Sequence, residues 1–103
     1  MARNASYGIS EIGRIGTLDM ATGTTYLACA VTASGTLESR MGMDIHNSSE
    51  NMVYWSYASP TTADDMEISS GTVKTFQFDA GKSVDIYLTA DTTTTTVKIH
   101  EWK

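Results

Sequence analysis

Alternation of apolar and polar residues dominates the chain from residue 24 onward. In SVDIYLTA, Val84, Ile86 and Leu88 share one parity, and polar residues with one tyrosine share the other. Successive side chains of a strand point to opposite faces of a sheet, so this pattern predicts half-buried β-strands. Strands are predicted in TTYLACAV, TLESRMGMDIHN, MVYWSYA, MEISSG, TVKTFQFDAG, SVDIYLTA and TTTTVKIHEW.

Turn-forming clusters such as NSSEN, DAGK and the stretch around Pro60 separate these segments at intervals of roughly eight to twelve residues. Threonine, the most frequent residue, is β-branched and suited to a half-exposed pleated surface. We therefore expect an all-β fold, a single β-sandwich or barrel. Jelly-roll-like and immunoglobulin-like topologies are both open at this point.

The first part of the chain follows a different period. Ile9, Ile12, Ile15 and Leu18 recur every three residues, with glycines between them. An amphipathic helix would mix spacings of three and four, a strand would show a spacing of two, and each glycine weakens a helix by up to about 1 kcal/mol. The pattern predicts an extended N-terminal arm over residues 1–19 that docks on the β-domain (20–103) or on a neighbouring subunit. The alternative is a packed N-terminal strand of the same domain.

The closing segment, DTTTTTVKIHEWK, joins a run of threonines to alternating apolar residues. The β-branched threonines and the alternation of Val97 and Ile99 favour an ordered strand over a flexible linker. If these two residues face the core, then Lys98, His100 and Trp102 face outward. Trp102 is then either an interface anchor or a cap on the end of the domain.

Two more aromatic side chains are candidates for an exposed interface. A core position for Trp55 puts Tyr54 on the opposite face of its strand, and Tyr87 has the outward parity in SVDIYLTA. Exposed aromatic residues anchor protein interfaces, and the same side chains stack on sugars. The candidate interface residues are Ile9, Ile12, Ile15, Leu18, Tyr54, Tyr87 and Trp102.

Composition and charge argue against several classes of partner. The 103 residues suit one domain, and a net charge of -5 with scattered Lys and Arg disfavours nucleic acid and an anionic membrane surface. The longest apolar run, residues 26–31, is too short to span a bilayer, and the start lacks the pattern of a secretory signal. A single cysteine excludes an intramolecular disulfide, so we expect a soluble protein made in a cytoplasm.

Groups with catalytic or metal-binding chemistry do not form a recognisable motif. His46, His100 and Cys29 lack the short local spacings of zinc ligands, and the two histidines are typical of a polar strand face. Cys29 lies in an apolar segment without a basic neighbour in sequence, which is typical of a buried, inert thiol. We expect no catalytic residue, no cofactor and no metal, and a protein that is not an enzyme.

The segment from Met43 to Trp102 resembles the small β-sandwich structural proteins of tailed bacteriophages. The resemblance rests on VYWSYASPTT, on FQFDAGKSVDIYLTA and on a threonine-rich turn before VKIHEW. The N-terminal segment departs from that family's pattern.

This resemblance implies a virion protein that is assembled in the host cytoplasm. It implies a capsid decoration, or cement, protein that binds the major capsid protein and itself as a homo-oligomer, often a homotrimer, and stabilises the capsid shell. On this interpretation the arm inserts between neighbouring subunits. The alternative is a head-fibre or tail accessory module that binds a glycan on a host surface through Tyr54, Tyr87 or Trp102.

Overall fold

A computed structural model describes residues 13–79 and 82–103. These residues form eight β-strands and one short 3₁₀ helix, Thr32–Ser34. The strands are β1 (Gly13–Met20), β2 (Tyr26–Leu27), β3 (Gly42–His46), β4 (Val53–Ser56), β5 (Met66–Ile68), β6 (Val73–Gln77), β7 (Tyr87–Ala90) and β8 (Thr95–Trp102). No helix within these two ranges is long and apolar enough to cross a membrane.

The described strands form two four-stranded antiparallel sheets. The first sheet has the order β1-β8-β3-β6, and the second has the order β2-β7-β4-β5. Each sheet ends at strands with one neighbour, so neither closes on itself. The all-β prediction is therefore confirmed, and the closed-barrel alternative is wrong.

One hydrophobic core takes side chains from both sheets. On β8, Val97 and Ile99 are buried, as their alternation predicted, and Trp55 on β4 is buried as well. The core comprises Leu18, Met20, Ala28, Ala30, Met43, Ile45, Val53, Trp55, Ile68, Phe76, Ile86, Leu88, Ala90, Val97 and Ile99. Burial of these side chains supplies the main favourable term in folding, at roughly 25 cal/mol per Å² of apolar surface. Each sheet consequently has an inner face toward this core and an outer face away from it.

The described part of the predicted arm, residues 13–19, is a strand of the first sheet. Residues 13–19 lie in β1, which pairs with β8 from Gly13 opposite Trp102 to Met20 opposite Thr95. Leu18 is buried in the core. For these residues the structure matches the alternative of a packed N-terminal strand, because the backbone groups that face β8 pair with it and Leu18 enters the core. Residues 1–12 lie outside the described part of the chain.

The connection between β2 and β3 departs from the predicted strands. TTYLACAV forms a regular strand only at β2. Beyond it, Ala28 still donates its N–H to the carbonyl oxygen of Ile86, but Ala30 donates its N–H to the carboxylate of Glu101. A Cβ at Gly16 on β1 would overlap the carbonyl oxygen of Ala30, so a glycine stands where this segment passes. Alternation in TLESRMGMDIHN predicted Met41, Met43 and Ile45 on the buried face. Met43 and Ile45 are buried, but Met41 is exposed and Arg40 before it is buried.

Strand β8 begins within the run of threonines, at Thr95. The buried Thr95 hydroxyl accepts a hydrogen bond from Asn51 Nδ2 at 3.3 Å and donates one to the carbonyl oxygen of Thr93 at 2.9 Å. Thr96 donates its hydroxyl to Asp19 Oδ1 on β1 at 2.6 Å. The closing segment is therefore an ordered strand, although its earlier threonines belong to the connection before it.

Candidate binding face of the first sheet

The candidate interface residues near the N-terminus and Trp102 do not share one environment. Ile15 lies on the outer face of the first sheet and is 77% exposed. Trp102 lies on the same face and is half-buried. Leu18 belongs to the core and offers no surface to a partner. Ile9 and Ile12 are outside the described residues.

The two candidate tyrosines lie on the outer face of the second sheet. Tyr54 alternates with core residues on β4 yet is only 9% exposed, and Tyr87 on β7 is half-buried. Burial, and after it the carboxylate of Asp91, raises the pKa of the Tyr54 hydroxyl. The parity predicted for Tyr54 agrees with the structure, but the side chain presents little surface.

Cross-strand pairing aligns residues from all four strands of the first sheet in two adjacent rows on its outer face. The first row consists of Ile15, His100, Asp44 and Thr75. The second row consists of Gly13, Trp102, Gly42 and Gln77. We refer to these two rows as the Trp102 platform.

The indole of Trp102 lies across a glycine on the neighbouring strand. A Cβ at Gly42 would overlap ring atoms Cζ2, Cε2 and Cη2 of the indole. Gly13, the partner of Trp102 on the other side, also carries no side chain. The imidazole of His100 stands beside the indole, with ring centroids 5.2 Å apart and planes tilted by 38°. Gly42 thus leaves room for the indole to lie against β3, while part of the ring remains in solvent.

Asp44 is the charged group at the centre of the platform. Its Oδ1 accepts a hydrogen bond from the Thr75 hydroxyl at 2.6 Å, whereas its Oδ2 is 3.7 Å from His100 Nδ1. The second distance is too long for a hydrogen bond, so Oδ2 retains acceptor capacity. The side chains of His100 and Asp44 are 43% and 34% exposed. A pair this exposed contributes only about 0–1 kcal/mol to stability, so both groups can exchange partners readily.

A buried charge cluster lies on the other face of β8, and the sequence analysis did not anticipate it. Glu101 Oε1 accepts hydrogen bonds from Arg14 Nη2 and from the N–H of Ala30, both at 2.9 Å. Glu101 Oε2 accepts from Arg40 Nη1 and from the N–H of Leu37, again at 2.9 Å. Glu101 and Arg40 are fully buried, with an exposure of 0%. Such a pair is sustained by these additional hydrogen bonds, because burial removes both charges from water.

The other donors of Arg40 tie two long connections to this cluster. Arg40 Nη1 also donates to the carbonyl oxygen of Ala28 at 3.0 Å, in the connection between β2 and β3. Arg40 Nε donates to Ser83 Oγ at 2.9 Å and Nη2 to the carbonyl oxygen of Val84 at 3.0 Å, both in the connection between β6 and β7. The Arg40 guanidinium therefore links the connection between β2 and β3 and the connection between β6 and β7 to Glu101 on β8.

The surroundings of Glu101 keep it ionised. Burial by itself raises the pKa of a carboxyl group, but hydrogen bonds from Leu37, Ala30, Arg14 and Arg40 outweigh burial and hold the pKa of Glu101 below its ordinary value of 4.5. Each of its oxygens already accepts two hydrogen bonds within the protein. The cluster therefore holds the fold together and leaves no acceptor for a ligand.

Cys29 lies beside this cluster as a buried free thiol. Burial, and next the charge of Glu101, raises the pKa of the thiol, although Arg14 and Arg40 act in the opposite direction. These arginines are basic neighbours in space that sequence proximity did not show. Cys29 is buried, as expected, and its raised pKa keeps the sulfur protonated at neutral pH.

One sequence signal did point to the buried carboxylate. Glu101 shares the parity of Val97 and Ile99, so the alternation that placed those two residues inward also placed Glu101 inward. Arg40 carried the opposite signal, because the alternation in TLESRMGMDIHN gave it the outward parity of Asp44 and His46. Across residues 13–79 and 82–103, no group of three or more His, Cys, Asp or Glu side chains is arranged to hold a metal ion.

Comparisons with protein-family models, with curated proteins and with solved structures found no match to this chain. The resemblance to bacteriophage structural proteins accordingly stays a prediction. Function has to be inferred from the two faces of the first sheet and from the edge that β1 forms.

Proposed function

We propose that this chain is a non-enzymatic structural protein of a bacteriophage virion, which binds the capsid shell and stabilises it. The observation that supports this most is the exposed Ile15 on β1, an eight-residue strand at the edge of the first sheet as the described strands form it. The outward backbone groups of an edge strand are a template for pairing with another chain. An exposed apolar side chain on such a strand gives that chain an anchor.

The connectivity of the two sheets supports a sandwich of the jelly-roll type. The chain passes from one sheet to the other at every connection between successive described strands except the one from β4 to β5. Eight strands arranged in two such sheets are the architecture of jelly rolls, which occur in viral capsid and lectin domains. This is support by analogy, because one fold hosts many functions.

In this proposal the protein acts as a homo-oligomer, with a trimer expected, and each copy presents β1 to the major capsid protein. Several weak contacts held around one symmetry axis give avidity without any catalytic chemistry. The place of action is then the virion, after assembly in the host cytoplasm.

The test is co-sedimentation of the full chain with capsids that lack it, taken from the phage whose genome encodes it. We expect the wild-type chain to sediment with capsids and Ile15→Asp to lose binding, because a charge would replace the apolar anchor. Met66→Asp is the matched control, since Met66 is an exposed apolar residue on the edge strand of the second sheet. Equal binding by wild type and Ile15→Asp would refute the role of β1.

A second candidate function is a carbohydrate-binding accessory module of a head fibre or tail. The observation that favours it is the half-buried indole of Trp102, with the partly exposed carboxylate of Asp44 in the adjacent row. Trp102→Ala separates the candidates, since it should abolish sugar binding and leave capsid binding by β1 intact.

A further inference from the structure

We infer that the Trp102 platform binds a neutral hexopyranose, which stacks a C–H face on the indole and donates two adjacent hydroxyls to Asp44. This inference rests on the second candidate function and names its site and its class of ligand.

The apolar half of the site is the ring of Trp102. A pyranose has one face on which several C–H bonds point the same way, and this face matches the area and flatness of an indole. The ring lies on Gly42 of β3, which raises no side chain beneath it, and its aromatic neighbour is the imidazole of His100 on its own strand. A flat ligand can therefore approach the exposed part of the ring.

The polar half of the site is the row next to the indole. Asp44 Oδ2 has acceptor capacity because His100 Nδ1 is 3.7 Å away, while Oδ1 is held in place by the Thr75 hydroxyl at 2.6 Å. A carboxylate with one oxygen fixed and the other available can accept hydrogen bonds from neighbouring hydroxyls of a sugar. His100, between Asp44 and Ile15 in the row, adds an exposed imidazole that donates or accepts a further bond.

Charge selects a neutral sugar over an acidic one. Asp44 faces the ligand directly, and the chain carries a net charge of -5. The nearest lysine on β8, Lys98, lies in the next row, opposite His46 and Thr17. A uronic acid, a sialic acid or a sugar phosphate would meet the carboxylate before it met that lysine, so repulsion disfavours these ligands.

The site is already formed without a ligand. Its side chains stand on paired strands, and Gly42 and Thr75 fix the positions of Trp102 and Asp44. Such preorganisation lowers the entropy lost on binding. The platform is shallow, however, so a monosaccharide is expected to bind with a dissociation constant on the order of 1 mM.

The experiment is a titration of the full ¹⁵N-labelled chain, followed by NMR. The probes are methyl β-D-galactopyranoside, methyl β-D-glucopyranoside and methyl α-D-mannopyranoside, each added to about a hundredfold excess over that dissociation constant. We expect at least one probe to shift the indole N–H of Trp102 and the amides of Asp44 and His100 saturably. Trp102→Ala and Asp44→Asn should each weaken binding by about tenfold or more, the loss of one such interaction, and the control Tyr54→Phe should leave it unchanged.

Three results would overturn the inference. The first is no saturable chemical-shift change with any probe, and the second is a change that persists in Trp102→Ala. The third is a change at the platform that depends on protein concentration and not on sugar concentration, because the platform would then be a contact between copies of this chain. If Trp102→Ala does not fold, Asp44→Asn and Trp102→Phe carry the test, the latter with an intermediate loss. Capsid co-sedimentation with Ile15→Asp is scored separately, so failure of the sugar site and failure of capsid binding are distinguishable.

Discussion

The two faces of β8 use neighbouring residues in opposite ways. On the inner face, Glu101 has each carboxylate oxygen bound twice at 2.9 Å, by arginines and by backbone N–H groups. On the outer face, His100 stands 3.7 Å from Asp44 and both remain partly exposed. Charged groups occur on both faces, so the residue type alone does not distinguish a group that stabilises the fold from one that is available to a ligand. What separates them is whether the hydrogen-bonding capacity of each group is already used within the protein.

The largest difference between the faces should appear when Arg40 is replaced. Arg40→Met leaves Glu101 Oε2 with only the N–H of Leu37, and breaking a buried ion pair on one side costs about 3–5 kcal/mol of unfolding free energy. Lys98→Met, an exposed outer-face change on β8, is the matched control and should change stability by less than about 0.5 kcal/mol. Urea denaturation measures both. Similar losses of unfolding free energy for the two variants would show that the inner face is no more important for stability than the outer face.

The next largest effect is expected for an inner-face glycine. Gly16→Ala would place a Cβ against the backbone carbonyl of Ala30, which cannot move without shifting the segment bound to Glu101. Overpacking of this kind costs about 1–3 kcal/mol, and here a value toward the upper end is expected. Thermal unfolding measured by circular dichroism would check it. A variant as stable as wild type would mean that the segment around Ala30 moves freely.

Low pH should also reduce the stability of the fold mainly through the inner face. The pKa of Glu101 in the folded protein is lowered, so its contribution to stability is fully present above its ordinary pKa of 4.5 and is lost as the pH falls through the folded value. Protonation leaves the side chain in place, so this loss should be smaller than that caused by replacing Arg40. The measurement is unfolding free energy against pH for wild type and Glu101→Gln. Parallel curves below pH 4.5 would contradict this role of Glu101.

The smallest effect is expected for an outer-face glycine. Gly42→Ala would overlap the indole of Trp102, but that ring lies at the surface and can swing into solvent. We expect a loss of less than about 1 kcal/mol, at the low end for overpacking, and a red shift of the tryptophan fluorescence as Trp102 becomes exposed. Gly42→Ala introduced into a Trp102→Ala variant should cause no further loss of unfolding free energy, because the overlapping ring is absent. A cost equal to that of Gly16→Ala would show that the outer face is as constrained as the inner one.

Local patterns in the sequence predicted the parts of the fold that depend on alternation. Val97, Ile99 and Trp55 face inward as expected, and the closing strand is ordered. Those predictions succeed because a strand with one buried face must repeat every two residues, and that period is visible in a single segment.

Features that depend on contacts between distant segments could not be read in the same way. The burial of Arg40 is set by Glu101, Ser83 and Val84, which lie far along the chain. The platform depends on the register that places Gly42 beside Trp102, and no local pattern specifies that register. The arm was predicted from a spacing of three, which gave no sign that its residues 13–19 pair with β8.

The pairing of β1 with β8 also has a consequence for how the molecule is made. Among the described strands, β1 pairs with β8, which is the last of them along the chain. During synthesis, β1, which carries Leu18 and Met20, cannot pair with β8 until the strands between them have been made. A topology of such distant pairings folds slowly, in about milliseconds to seconds, and leaves nascent chains open to association. Association of neighbouring nascent chains through β1 would then compete with correct closure of the first sheet.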